Sequence, residues 1–87
     1  MSFFVYMILS KHNDKFISYV GYTNNIRNRI LLHNSSKGAK SNKGYEWVLI
    51  YKKLFFLKTN ALKFEYKLKK NRKLRSSILK DYNESVS

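Results

Sequence analysis

The sequence predicts a single α+β domain built on a small sheet, with its elements in the order β-β-α-β-α-α. Three observations carry that expectation. Three short runs are dense in aromatic and β-branched residues, a composition suited to a pleated, half-buried surface. Other segments repeat their apolar residues at the spacing of one helical face and follow residues able to cap a helix. Finally, 87 residues with 44% hydrophobic content have room for one modest core, not two. Cysteine is absent, which excludes a disulfide framework, a Cys-based zinc site and a thiol nucleophile. Packing alone must therefore hold the core.

Residues 3–9 hold Phe, Val, Tyr, Met, Ile and Leu with no turn former among them, and they predict a buried strand. A polar turn over residues 11–14 leads to a second strand at 16–22, ended by Gly21 and the Thr23-Asn24-Asn25 cluster. Thr23, Asn24 or Asn25 can cap a helix, in which Ile26, Arg29, Ile30 and His33 follow at offsets of 3, 4 and 7. Residues 34–38 are expected to end that helix in a loop running to about Gly44. The third strand is expected over 47–56, with Lys52 and Lys53 marking an exposed end. Thr59 or Asn60 can cap a second helix over 61–70, Asn71 breaks it, and a third helix spans 73–82. The domain is thus expected at residues 1–82, with 83–87 a short polar tail that frays.

Eighteen Lys and Arg against five Asp and Glu leave a net charge of +13. Self-repulsion on that scale costs stability, so a polyanionic partner is expected. Lys58, Lys63, Lys67, Lys69, Lys70, Arg72, Lys73, Arg75 and Lys80 stud the last two helices, opposed there by Glu65 and Asp81. That asymmetry suits phosphate tracking and points to nucleic acid. A membrane surface fits less well, because the charges do not line one amphipathic helix with a clean apolar face. No run reaches membrane-spanning length, and no basic stretch or cleavage site brackets residues 3–9, so an intracellular protein is expected.

Glu65 is the most informative residue. It lies four after Ala61 and three before Leu68, on the helix's apolar stripe, where a carboxylate needs a cation or a hydrogen bond. A buried ion pair satisfies that need as well as a metal does. Three of the five carboxylates sit in turns or the tail, so a multi-carboxylate cage is hard to assemble. A one-carboxylate Mg²⁺ site completed by water and phosphate remains feasible. Arg29 and His33, one turn apart, could meet a phosphoryl oxygen and relay a proton. Their plainer roles are a solvated charge and a helix-end cation. Tyr6 and Tyr19 lie mid-strand, where tyrosine is common, and matter chemically only if they share a polar cleft. Gly21 hints at close backbone approach. No P-loop, zinc-ligand set or serine triad is visible.

Taken together, these residues resemble the GIY-YIG nuclease domains. Phe4-Val5-Tyr6 stands at the first signature tripeptide and Tyr19-Val20-Gly21 at the second. Arg29 and His33-Asn34 follow in the next helix, and Lys37-Gly38-Ala39-Lys40-Ser41 resembles the loop of small stand-alone members. Trp47-Val48-Leu49-Ile50-Tyr51 matches the third strand, and the stretch from Asn60 to Lys70 matches the helix bearing the catalytic glutamate, here Glu65. The likeness covers residues 3–80, in family order. It extends to the nuclease half of structure-specific branched-DNA endonucleases, which carry a cysteine-rich zinc domain for which this sequence has no cysteines. Phe4 replaces the glycine of the first signature; with Tyr6 retained, local packing should change more than chemistry.

The resemblance implies a three-stranded antiparallel sheet flanked by helices and a metal-dependent DNA endonuclease. Its expected substrate is branched or single-stranded DNA in repair or recombination. Glu65 would hold one divalent cation, Mg²⁺ or Mn²⁺. Tyr6 or Tyr19 would position or deprotonate the attacking water with His33 nearby, and Arg29 would stabilise transition-state charge. Because a phenol titrates near pH 10, a basic role requires cations to lower its pKa. Arg27, Lys37, Lys40, Lys43, Lys69, Lys70 and Arg72 are the candidate DNA-binding cations, and Gly21 and Asn34 the structural positions. A chain this small could dimerise for paired cuts or work on a protein scaffold. The rival expectation is a non-catalytic nucleic-acid-binding module, because stacking and phosphate contacts need no catalyst.

Overall fold

A computed structural model describes residues 2–12, 14–35 and 46–86. The described residues form β1 (Phe3–His12), β2 (Lys15–Thr23), α1 (Ile26–Asn34), β3 (Val48–Phe55), α2 (Lys58–Lys70) and α3 (Arg72–Val86). The strands make an antiparallel sheet in the order β2-β1-β3. As expected from the sequence, this is an α+β domain in the order β-β-α-β-α-α.

β1 is the central strand, and its composition explains why. Every residue from Val5 through Leu9 is buried, on both faces of the sheet, so this stretch is continuously hydrophobic rather than alternating, and the polar Ser10 is buried after it. Strand alternation sends Val5 and Met7 to one face and Tyr6 and Ile8 to the other. On the first face, Val5, Met7 and Val20 pack with Ala61 and Leu68 of α2 and Ile78 of α3. On the second, Tyr6, Ile8 and Trp47 pack with Ile26 and Ile30 of α1 and Leu49 of β3. Two helices thus cover one face, while α1 holds the other with half-buried residues only.

The turn between β1 and β2 places Asp14 at φ 64°, a left-handed conformation that a short acidic side chain tolerates. Tyr6 pairs with Gly21 and Ile8 with Tyr19 across β1 and β2. Against β3, Met7 pairs with Tyr51 but Ile8 with Leu49, so the ladder slips by one residue there. Phe4 lies half-buried beneath Lys52, whose Nζ is 5.8 Å from the ring centroid.

Helix boundaries depart from the sequence expectation in two places. Asn25 caps α1, its Oδ1 accepting from the Asn28 amide at 3.1 Å. Helix α2, however, begins at Lys58 after Leu57, which offers no side-chain cap, so Thr59 and Asn60 lie inside the first turn. Packing outweighs capping here: Ala61, fully buried, donates its amide to the Leu57 carbonyl at 3.1 Å. Asn71 does separate α2 from α3, and its Oδ1 caps α3 by accepting from the Leu74 amide at 2.9 Å. Helix α3 then runs to Val86, past the expected end at Tyr82, because residues 83–86 hold no glycine or proline to stop it.

Candidate active site

The middle of the sheet's α1 face builds the site. Tyr6 rises from central β1 opposite Gly21 of β2. A Cβ placed on Gly21 would lie 2.7 Å from the Tyr6 hydroxyl oxygen, 2.9 Å from Tyr6 Cζ and 2.9 Å from Tyr19 Cε1. Glycine is therefore a steric requirement here: the two tyrosine rings close over its bare Cα. Tyr6 is 1% exposed, whereas Tyr19, two residues before Gly21 on an edge strand, is 43% exposed.

His33, in the last turn of α1, reaches down to this pair. Its Nε2 shares a hydrogen bond with the Tyr6 hydroxyl at 3.0 Å. Its ring centroid lies 4.9 Å from that of Tyr19 and 5.9 Å from that of Tyr6, and the two tyrosine rings are 6.2 Å apart. Trp47 closes the fourth side at 6.1 Å from the imidazole. Asn34 holds that wall in place. Its Nδ2 donates to the Trp47 carbonyl at 3.1 Å, and its Oδ1 accepts from the Trp47 amide at 2.6 Å. The end of α1 is thereby tied to the start of β3, and the imidazole's height over the sheet is set by backbone.

Charge completes the arrangement. Burial holds the Tyr6 phenol well above its ordinary pKa; the charges of Tyr19 and Glu65 push the same way, and Arg29 pulls against them. Burial also lowers the pKa of His33, with Arg29, one turn earlier on α1, adding to the effect. At neutral pH the pair is thus a protonated phenol against a neutral imidazole. The Glu65 side chain is 17% exposed, and one carboxylate oxygen lies 3.7 Å from Lys69 Nζ, a loose pairing with a half-exposed partner. Arg29 also lines a polar cleft of about 240 Å³ with Phe3, Tyr22, Thr23, Asn24 and Lys58.

Tyr6, Tyr19 and His33 therefore meet ring to ring, with Arg29 one turn before His33 on α1; Glu65, on α2, bears on Tyr6 through its charge, and the five come from four different elements. Of the candidate DNA-binding cations, Lys69 stands beside Glu65. Lys70 lies exposed over the Tyr66 ring, 5.6 Å from its centroid. Arg27 is exposed on α1, two residues and so more than half a turn from Arg29, and Arg72 is exposed at the start of α3. Lys37, Lys40 and Lys43 lie outside the described residues. Sequence reasoning missed the part played by Trp47, placing it only as strand; the sole hint was a large aromatic at a strand's first position. Lys58, seen only as one cation among many, stands with Arg29.

No cluster of three His, Asp or Glu side chains exists among the described residues. A divalent ion on Glu65 would keep most of its shell as water and phosphate, a habit of Mg²⁺. The loosely paired, partly buried carboxylate fits that demand.

Comparison with known proteins agrees with this geometry. The family described as the GIY-YIG catalytic domain matches residues 2–83. The chain is 40% identical over 67 residues to the UPF0213 protein SH2523 of Staphylococcus haemolyticus, covering 76% of this chain and 78% of that protein. It is 40% identical over 68 residues to the UPF0213 protein YazA of Bacillus subtilis, covering 77% of this chain and 66% of that one. The solution NMR structure of the UPF0213 protein BH0048 from Bacillus halodurans superposes with a TM-score of 0.51 at 32% identity, over 92% of this chain and 84% of that one. With the match running through both strands of the tyrosine pair, α1 and the glutamate helix, the chain belongs to the GIY-YIG catalytic-domain family.

Proposed function

We propose that this protein is a divalent-metal-dependent endonuclease that hydrolyses DNA phosphodiester bonds, acting on branched or single-stranded DNA in repair or recombination. Residues 1–82 would form its single catalytic unit. The observation that carries this reading is the Tyr6–His33 hydrogen bond at 3.0 Å, packed against a glycine that leaves it room and flanked by Tyr19, Arg29 and Glu65. Membership in a family of nuclease domains supports it.

In this reading Tyr19, the exposed member of the pair, borders the attacking water and orients it. The water's proton passes into the Tyr6–His33 hydrogen bond, with the neutral imidazole as final acceptor. Tyr6 itself is a poor base, since burial disfavours its phenolate, so its task is to position the imidazole and pass the proton on. Arg29 meets the phosphoryl oxygens and stabilises their added charge in the transition state. A phosphate bound there also offsets the effect of Arg29 on His33, making the imidazole a better acceptor once substrate is in place. Glu65 would hold one divalent cation, Mg²⁺ or Mn²⁺, which when bound supplies Lewis-acid polarisation of the phosphate and stabilisation of the leaving oxygen.

The test is direct. Wild type and Glu65→Gln are incubated with forked, four-way and single-stranded DNA in Mg²⁺. Cleavage by wild type alone is expected. No cleavage by wild type, or equal cleavage by Glu65→Gln, refutes the assignment.

A further inference from the structure

Behind the active site, across the edge strand, lies a second feature. Tyr19 and Gly21 point to the α1 face, so Ser18 and Val20 point to the other. There they line two adjoining clefts of about 200 and 240 Å³ with Phe16, Arg72, Arg75 and Lys69. Together these make a groove along the back of β2, from Val20 to Phe16, roughly 13 Å at 3.3 Å per residue.

Three properties of this groove point to a ligand. First, Arg75 is half-buried, and no carboxylate pairs with it among the described residues. Its Nη1 donates to the Leu68 carbonyl at 2.9 Å and to the Lys69 carbonyl, at the C-terminal end of α2. Those bonds hold the guanidinium rigidly over the groove and leave Nε and Nη2 free for an anion. The carbonyls at the end of α2 meet part of that positive charge, and an anion in the groove would meet the rest. Second, Phe16 is 60% exposed at the groove's far end, a flat apolar surface outside the buried core, with Lys11 Nζ 5.7 Å from its ring centroid. Third, Lys69 belongs to both places, lining the groove while lying 3.7 Å from Glu65. The groove therefore begins where the active site ends.

A phosphate strand with accessible bases fits this combination. Cations along a narrow groove track a backbone, and an exposed aromatic stacks an unpaired base. A duplex, whose bases are already stacked, can use the cations but not the ring. We propose that this groove holds an unpaired DNA arm of the substrate, with Arg75 and Arg72 on its phosphates and Phe16 against a base. The active site would then act on the strand where that arm meets the edge of β2. This inference rests on reading the protein as a DNA-acting domain, but not on its chemistry.

Binding is measured without divalent cation in the Glu65→Gln chain, by fluorescence anisotropy of a labelled oligothymidylate and of a blunt hairpin duplex. Phe16→Ala and Arg72→Gln change exposed side chains, and thermal unfolding confirms that each still folds. Phe16→Ala should weaken single-strand binding at least about fivefold, the lower bound for losing one stacking platform, while duplex binding stays within about twofold. Arg72→Gln should lower the salt slope by about 0.7 for the single strand. Equal losses on both DNAs, or no loss on either, overturn the proposal. So does tighter binding of the matching RNA, or equal binding of polyglutamate. Because no cutting is involved, these outcomes are separate from the cleavage test of Glu65.

Discussion

Replacing Gly21 with alanine tests the heart of the site through a single methyl group. The new Cβ would stand 2.7 Å from the Tyr6 hydroxyl oxygen, and ordinary contact begins at 3.4 Å, so a displacement of 3.4 − 2.7 = 0.7 Å is required. Tyr6 cannot absorb it freely. The ring is 1% exposed, its strand is paired on both sides, and Cζ and Tyr19 Cε1 also stand at 2.9 Å. Added to the 3.0 Å Tyr6–His33 bond, a shift of 0.7 Å in the unfavourable direction gives 3.7 Å, beyond hydrogen-bond reach. Overpacking of this kind costs about 1–3 kcal/mol. At roughly 4–8 °C per kcal/mol for a domain of this size, Tm should fall by about 4–24 °C. Cleavage measured well below the new Tm should drop by about 10²-fold, the scale for misplacing a catalytic group by an ångström. Combining Gly21→Ala with Tyr6→Phe removes the closest clash and should recover part of the Tm but none of the activity. An unchanged Tm and unchanged cleavage in Gly21→Ala would refute the packing argument. A lower Tm with full activity would show that the Tyr6–His33 distance does not matter to the reaction.

Two further predictions concern His33 and Asn34. Folding holds the His33 pKa below its ordinary 6.5, so the unfolded chain binds that proton more readily. Its contribution to stability should be complete above about pH 6.5 and decline as pH falls toward the folded-state value. In the same window cleavage should decline as the proton acceptor is filled; Tm and rate from pH 5 to 8 test both, and a Tm profile as steep in His33→Gln as in wild type would contradict the assignment. Asn34→Ala removes both side-chain bonds to the Trp47 backbone and should cost about 1–3 kcal/mol, read as a lower denaturation midpoint with unchanged m-value. An imidazole freed from its support should also lose activity beyond what the lower stability explains, and full activity in folded Asn34→Ala would oppose a supporting role.

Much of the site was legible in the sequence because it rests on local rules. Ile26, Arg29, Ile30 and His33 follow helical spacing, so two apolar residues facing the sheet necessarily bring a cation and an imidazole along the same edge. Glu65 stood out because a carboxylate between Ala61 and Leu68 demands a partner, and both neighbours are fully buried. Gly21 stood out as a strand interior without a side chain. The helix caps were less legible. Asn25 caps as its chemistry suggests, whereas Thr59 and Asn60 do not, because the buried Ala61 decides where α2 starts. The Arg75 groove left no local mark at all, since it joins β2 to the corner of two helices far along the chain.

The two tyrosines show the division most clearly. By residue type, strand position and surroundings, Tyr6 and Tyr19 are equivalent in the sequence, and nothing local assigns them different work. Composition and period determined that three strands and three helices would form, and which side chains share a face, because those follow from short-range sterics and from alternation within one element. Only the tertiary structure decided that β1 is central and β2 an edge. That single ordering buries Tyr6 to 1% and leaves Tyr19 43% exposed, raises one phenol's pKa by desolvation, and lets the other reach solvent. Burial depends on what the rest of the chain places on each side of a strand, and no strand carries that information alone.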